Sequence, residues 1–281
     1  MNAWTAYDAS RVAIWRDYND YIKSVDPKAY VILEHFGSDQ EEQELAGMGM
    51  VLWNNLNYNA NEATMGWVPT SDFSRLFYAQ HGFAAGSSGN LVGYFESHDE
   101  ERLQYKNEQY GNSSGNYNVK DLATGLKRDE MAAAFLLAAP GPKMIWQFGE
   151  LGYDVNIDFN GRTGAKPIHW DYKADANRKH LHDTYARLIK MKIKNEVFNT
   201  ANCQYVTSGY IKTIQLNGSD NRVEVVGNFD VVSQTGSISF PSTGTWYDNI
   251  TGTSITVSSL PYSMTLAPGE YHVYSTTALK Q

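Results

Sequence analysis

Tyr94-Phe95-Glu96-Ser97-His98-Asp99-Glu100-Glu101-Arg102 is an aromatic strand-forming run that ends in a His-Asp pair and passes straight into more charge. By itself the stretch fits two readings. In one, Ser97 and Asp99 cap a helix after a buried strand, and His98 bonds the backbone. In the other, the strand delivers ionisable side chains to a site at its C-terminal end. A second run favours the latter: Tyr30-Val31-Ile32-Leu33 has strand composition and ends in Glu34-His35-Phe36.

Two strands then present carboxylates at the same end. In parallel α/β barrels that is the face where the connecting loops gather and side chains converge. The segments between them read as alternating helices and strands. Asp8 to Val25 predicts a helix with Trp15, Tyr18, Ile22 and Val25 on one face, stopped by Pro27. Ser38-Asp39-Gln40-Glu41 has capping-box spacing and opens a short helix to about Ala46. Gly49 to Trp53 is the next strand, and a long loop rich in Asn and aromatics follows from Asn54 to Pro69. Loops of that length are often functional. Tyr58 and Trp67 in it suit sugar platforms, and equally suit a loop that packs on its own aromatics. A helix begins near Ser71-Asp72, with Phe73, Leu76 and Phe77 inside.

Beyond the His-Asp strand, Gln109 to Asn116 is a polar excursion without a chemical signature. Val119 to Ala139 predicts a helix containing the alanine-rich run Met131–Pro140, and Lys143 to Phe148 a fourth strand. Asn177 to Lys194 predicts a last helix with Leu181, Tyr185, Leu188 and Ile189 on one face. From about Asn199 the texture changes to short alternating runs: Ile211–Leu216, Arg222–Val226, Ser237–Phe240, Thr245–Tyr247, Ser254–Val257 and Glu270–Tyr274. Their regular spacing, with Asn217-Gly218 as a hairpin signal, predicts an antiparallel β-sandwich.

The 281 residues suffice for one to two domains with a sizeable core. A net charge of −8 argues against nucleic acid or an anionic membrane as the main partner. No stretch approaches the roughly 18 apolar residues of a membrane span. Cys203 is alone, so no internal disulfide forms. Nineteen Tyr, seven Trp and eleven Phe, mixed with Asn, Asp and Gln, tilt the composition toward carbohydrate, because aromatic faces stack on sugar rings while amides and carboxylates bind hydroxyls.

The order of motifs is a strand ending in Glu34, a strand ending in Trp53-Asn54-Asn55, a strand ending in Ser97-His98-Asp99, then Pro142 to Glu150. It resembles the second half of the α-amylase family of glycoside hydrolases. The resemblance extends to the Gly149–Asp154 loop, to Pro167-Ile168-His169-Trp170, and to Trp246-Tyr247-Asp248 in the β-region. It implies strands five to eight of a TIM (β/α)8 barrel over residues 1–198, and an all-β antiparallel sandwich domain over 199–281. It implies Glu34 as general acid/base, Asp99 as transition-state stabiliser and His98 as a substrate-binding residue, with Trp53, Tyr58 and Trp67 as further sugar contacts. The substrate class implied is an α-glucan, such as starch or malto-oligosaccharides.

The family's nucleophile, an Asp in a Gly-x-Arg-x-Asp strand, has no counterpart here. Arg16-Asp17 lies inside the first predicted helix, so Asp17 does not take that role. The chain is expected to begin just after its nucleophile strand and to be inactive alone, since a retaining glycosidase needs two carboxyl groups about 5–5.5 Å apart. An inverting route through Asp99 would need roughly 6.5–9.5 Å. Two other classes stay open: a metal-dependent hydrolase built on Glu34, His35, His98 and Asp99, and a non-catalytic carbohydrate-binding remnant. Adjacent strand residues point to opposite faces, which weighs against the first. His35 is read as packing, and Glu100 and Glu101 as a solvated helix start. No cofactor or metal is expected in this segment, since the calcium frequent in the family sits on earlier parts. A secreted or periplasmic location is expected, with any signal upstream. The open barrel edges Tyr30–Leu33 and Lys143–Phe148 predict a homodimer or another association through those edges.

Overall fold

A computed structural model describes residues 6–84 and 86–281. Helix α1 (Ala9–Val25) is capped by Asp8, whose carboxylate accepts from the Ser10 amide at 2.8 Å. Its packed face is Val12, Trp15, Asn19 and Ile22, not the predicted stripe: Tyr18 and Val25 are 61% and 72% exposed. The Arg11–Glu41 ion pair fixes the rotation by tying α1 to the next helix. Spacing alone does not distinguish two stripes one position apart. Strand β1 (Ile32–Leu33) keeps only half of the predicted run, although the Val31 carbonyl still accepts from the Val51 amide.

Ser38 accepts from the Glu41 amide and starts α2 (Asp39–Gly47). β2 (Val51–Asn55) pairs parallel with β1, Ile32 against Val51. The segment expected as a long loop forms α3 (Asn57–Met65). The Asn55 side chain accepts from the Asn57 amide to start it, Ala60 and Ala63 are fully buried, and Gly66 at φ 88° ends it in the left-handed region. Short 3₁₀ turns replace the helix predicted after Ser71, but Phe73, Leu76 and Phe77 are buried as expected.

β3 (Leu91–Tyr94) pairs parallel with β2, Asn55 against Tyr94. The chain then forms α4 (Leu103–Tyr110), a two-residue hairpin of β4 (Ser113–Ser114) and β5 (Tyr117–Asn118), α5 (Leu122–Ala138) and α6 (Ala176–Lys194). The predicted fourth strand at 143–148 is reduced to one parallel bridge, Gly93 with Lys143. Pro140 and Pro142 supply no amide donors there, and the Lys143 ammonium curls back onto the carbonyls of Pro140, Gly141 and Pro142. Phe148, at φ 62°, then turns the chain away.

The C-terminal region is antiparallel: β6 (Cys203–Val206), β7 (Ile211–Asn217), β8 (Arg222–Asn228), β9 (Gln234–Ile238), β10 (Gly244–Asp248), β11 (Ser254–Val257), β12 (Tyr262–Leu266) and β13 (Tyr271–Ser275). Six strands run in the order β11-β10-β13-β8-β7-β6, and β12 pairs with β9 as a second layer. The turn after Asn217 spans four residues and closes through Gly218 N–H to the Asn221 carbonyl, longer than the two-residue turn the Asn-Gly pair predicts.

Alternation along β8 serves two cores. Val226 faces Trp246, Phe240 and Leu266 between the β layers, while Val223 and Val225 join the helix-side core of Phe135, Leu181 and Leu188. Arg128 on α5, wholly buried, stitches the regions together. Its guanidinium donates to the Thr64 carbonyl, to the carbonyls of Ala63 and Phe229 at 2.8 and 2.6 Å, and to that of Asp230 at 3.3 Å. Among the described residues, no helix is long and apolar enough to cross a membrane.

Candidate active site

Glu34 follows β1 directly, whereas His98 and Asp99 lie in the turn beyond β3. Because they are past the strand, its two-face alternation does not apply, and both turn to the same side. One carboxylate oxygen of Glu34, one of Asp99 and one ring nitrogen of His98 all lie within 4.8 Å of one another. The His98 Nε2 is 3.7 Å from Asp99 Oδ2. All three side chains are exposed, as groups meant to meet a ligand must be. One oxygen of each carboxylate lies nearer the other than the roughly 6.5–9.5 Å that separates the carboxyl groups of an inverting pair.

Aromatic walls fix the imidazole. Trp53 meets it edge-on at 6.1 Å between ring centroids, and Trp146 lies tilted at 5.9 Å on another side. Trp53 itself rests edge-on against Tyr94, 5.3 Å away and fully buried beneath the site. Burial, then the carboxylates of Glu100, Glu34 and Asp99, raise the Tyr94 hydroxyl well above its ordinary pKa, so it stays neutral.

The turn that carries His98 is held by residues the sequence reading left unassigned. Glu96, buried, accepts from the Leu103 amide at 2.8 Å and so caps α4. Gly149 packs so close that a Cβ there would meet Glu96 Oε2 at 2.2 Å. Burial pushes the Glu96 carboxyl above its usual range. Glu100 and Glu101 are not a solvated helix start. Glu100 accepts from the Ser97 hydroxyl and the Asn55 amide, and Glu101 from Ile157 N–H at 3.0 Å and the Asn156 side chain at 3.1 Å. Asn57 adds bonds to the carbonyls of Phe95 and Glu101, at 2.7 and 2.8 Å. Three loops are thus pinned around one turn; the signal was present in the charge density after Asp99, misread because local pattern cannot show a partner from another loop.

A cavity of about 690 Å³ opens on one flank, with Trp53, Tyr58, Asn55 and Glu100 in its walls. A second of about 320 Å³ opens beside His98 and Asp99, walled also by Trp146, Gln147 and Tyr153. Tyr58, on the first turn of α3, is 63% exposed to the larger one. Trp67 does not join them. It sits past the far end of α3 with its indole N–H on the Tyr110 carbonyl at 3.0 Å, away from the residues that wall the two cavities.

His35 is packing, as its sequence reading has it. It is 1% exposed, accepts from the Trp15 indole at Nδ1 and therefore donates from Nε2 to Glu41 at 2.8 Å. That takes it out of the four-residue metal set. Asp39, Glu42 and His81 also cluster, but Arg75 fills their centre, bidentate to Asp39 and 2.9 Å from His81 Nδ1.

No protein-family model and no curated protein matches the sequence. Solved structures do. An α-amylase from Anoxybacillus superposes with a TM-score of 0.68 at 14% identity, over 96% of this chain and 57% of its own. The α-amylase from Geobacillus thermoleovorans in complex with acarbose gives 0.69 at 12% identity, over 96% and 57%. A cyclomaltodextrinase gives 0.68 at 16%, over 94% and 43%. The chain spans about half the length of the structures it matches. At these identities the likeness is one of fold, and it agrees with the resemblance drawn from the motifs: a mixed α/β part followed by a β-domain, as in α-amylase-type enzymes.

Proposed function

We propose that this chain is part of a glycoside hydrolase of the α-amylase family acting on α-glucans such as malto-oligosaccharides, with retention of configuration in the complete enzyme. The observation that carries the reading is the meeting of Glu34, His98 and Asp99 at the ends of parallel strands between two aromatic-lined cavities. In this assignment Glu34 protonates the departing glycosidic oxygen, and Asp99 stabilises the positive charge that develops at the anomeric carbon. His98 donates to a hydroxyl of the reacting sugar, and Trp53 and Tyr58 supply stacking faces. The attacking carboxylate is assigned to a strand outside these 281 residues, so the chain alone is expected to bind glucan without cleaving it.

Residues 1–198 are assigned to strands five to eight of a (β/α)8 barrel and 199–281 to its C-terminal β-domain. The parallel order β1-β2-β3 with the Gly93–Lys143 bridge supports the first assignment, and the antiparallel sheet supports the second. β1 has one unpaired edge in the described chain, and Tyr30 and Ile32 there are 85% and 53% exposed. A second copy of the chain joined along this apolar edge is the proposed partner.

Calorimetric titration tests the function. Maltoheptaose is expected to bind and cellohexaose to fail, with Asp99→Ala reducing the maltoheptaose affinity. Equal binding of both sugars, unchanged in Asp99→Ala, would refute the assignment. The same trio also offers three donor atoms to a metal-dependent hydrolase; glucan binding that vanishes with EDTA and returns with zinc would favour that reading instead.

A further inference from the structure

We propose that the smaller cavity, beside His98 and Asp99, is an oxyanion subsite that takes a phosphate or carboxylate carried by a sugar of the substrate. The inference deepens the α-glucan reading and rests on it. Its first ground is charge. The chain as a whole carries −8, yet this cavity is walled by Arg102, Arg162 and Lys166 against one carboxylate, Asp99. The larger cavity has the opposite character: Glu42 and Glu100 line it, and its one guanidinium, Arg75, is already bidentate to Asp39. A cleft lined by one sign of charge and low-dielectric walls concentrates ligands of the other sign.

The second ground is an unmatched donor. Arg102 is 4% exposed, and its Nη1 is buried with no hydrogen-bond partner among the described residues. Glu96 Oε2, at 3.9 Å, is too far to accept, and the guanidinium otherwise lies 5.0 Å from the centre of the Tyr153 ring, in the wall of the same cavity. The guanidinium is thus short of acceptors within the described chain, and an anion held in the cavity that Arg102 lines would face its charge.

The third ground is that the opposite wall stands ready without the ligand. The Lys166 ammonium gathers the carbonyls of Phe159, Gly161, Arg162 and Gly164 at 2.8–3.3 Å, folding the loop around itself. Gly164 permits the tight return, since a Cβ there would lie 1.9 Å from the Asn160 carbonyl. Lys166 thus lends charge while its N–H groups are spent. Arg162 is held at the rim by one bond from Nη2 to the Asp99 carbonyl, and its remaining N–H groups make no bond among the described residues. Two guanidinium groups on one small cavity match the planar, multidentate geometry of an oxyanion better than the single hydroxyls of a neutral sugar.

Calorimetry of the 281-residue chain with maltose, a maltose phosphate, a maltose-type uronic acid and inorganic phosphate tests this at low and high salt. At least one of the anionic sugars is expected to bind about tenfold or more tightly than maltose at low salt. That advantage should shrink with salt, vanish in Arg162→Gln and survive in part in Arg162→Lys. Preference for the phosphate or for the uronic acid identifies the natural substituent. Equal affinity for neutral and anionic sugars, or an advantage that persists in Arg162→Gln, overturns the subsite and leaves the glucan reading intact. Inorganic phosphate binding through Arg162 with no binding of any maltose derivative does the reverse: it keeps an anion site and removes the glucan.

Discussion

Glu34 and Asp99 project from the ends of β1 and β3, two strands separated by β2, and bring their carboxylate oxygens within 4.8 Å of each other. Like charges at such range repel, and the group beside both of them is the His98 ring, whose Nε2 lies 3.7 Å from Asp99 Oδ2.

The pair alone does not complete a retaining mechanism. Soluble starch incubated with this chain is expected to release no reducing ends above background. Robust turnover abolished by Glu34→Gln would mean that a nucleophile lies within these residues, with Glu100, held by Ser97 and Asn55 beside Asp99, the first to test.

Aromatic substitutions separate the cleft from its surroundings. Trp53→Ala is expected to weaken malto-oligosaccharide binding on the order of tenfold, in the manner of a buried aromatic anchor. Trp67→Ala should leave affinity unchanged and lower the melting temperature, because its indole supports the end of α4. A loss of affinity in Trp67→Ala, read by calorimetry, would put that residue back at the site.

Arg128 tests the join between the helical and β regions. Its guanidinium serves carbonyls on α3 and on the turn after β8, and a lysine cannot reach them together. Arg128→Lys is expected to cost about 2–4 kcal/mol in urea unfolding. A cost below about 0.5 kcal/mol would show that the bonds are not shared as described.

Asp129 gives a pH signature. Burial first, then the nearby Glu96, raises its pKa well above the ordinary value. Its Oδ2 and the oxygens of Asn107 and Gln104 are all buried without donors among the described residues, so a proton on Asp129 supplies a donor to the group. The folded state therefore holds this proton at pH values where the unfolded chain releases it. Stability is full below the unfolded carboxyl pKa and declines as pH rises toward the folded one. Asp129→Asn should flatten that decline and gain on the order of 1 kcal/mol at pH 8. Thermal melts between pH 5 and 8 check it, and a steeper decline in the variant would contradict it.

The proposed edge pairing is a matter of mass. Light scattering across concentrations is expected to give twice 31.5 kDa, the mass of one chain. A stable species of one chain mass at all concentrations would show that the exposed Tyr30 and Ile32 edge is left uncovered.

How much of this was legible in the sequence depends on the range of the interaction. The capping signal at Ser38 is local and reads true, as do the helices ending at Val25 and Lys194. The meeting of Glu34 with His98 and Asp99 was legible because a parallel sheet puts all its C-terminal ends on one side. What failed was set by partners far along the chain. Asn-rich 54–69 reads as a loop until Ala60 and Ala63 find the core. Glu100 and Glu101 read as solvated until Asn55 and Asn156 reach them. The run at Lys143 has strand composition, but its prolines and its own ammonium pull the backbone out of the ladder after one bridge. Arg102 and Arg162 carry no local signature at all; only the cavity between them gives them meaning.

Whether Glu34, His98 and Asp99 form one glucan-binding centre is read from a structure of the chain with acarbose bound. The expected result is a sugar ring over the Glu34 and Asp99 carboxylates, its linking atom or one hydroxyl within reach of both, with another hydroxyl accepting from His98 and Trp53 against its side. Acarbose bound elsewhere on the chain, with that cleft empty at saturating ligand, would contradict it.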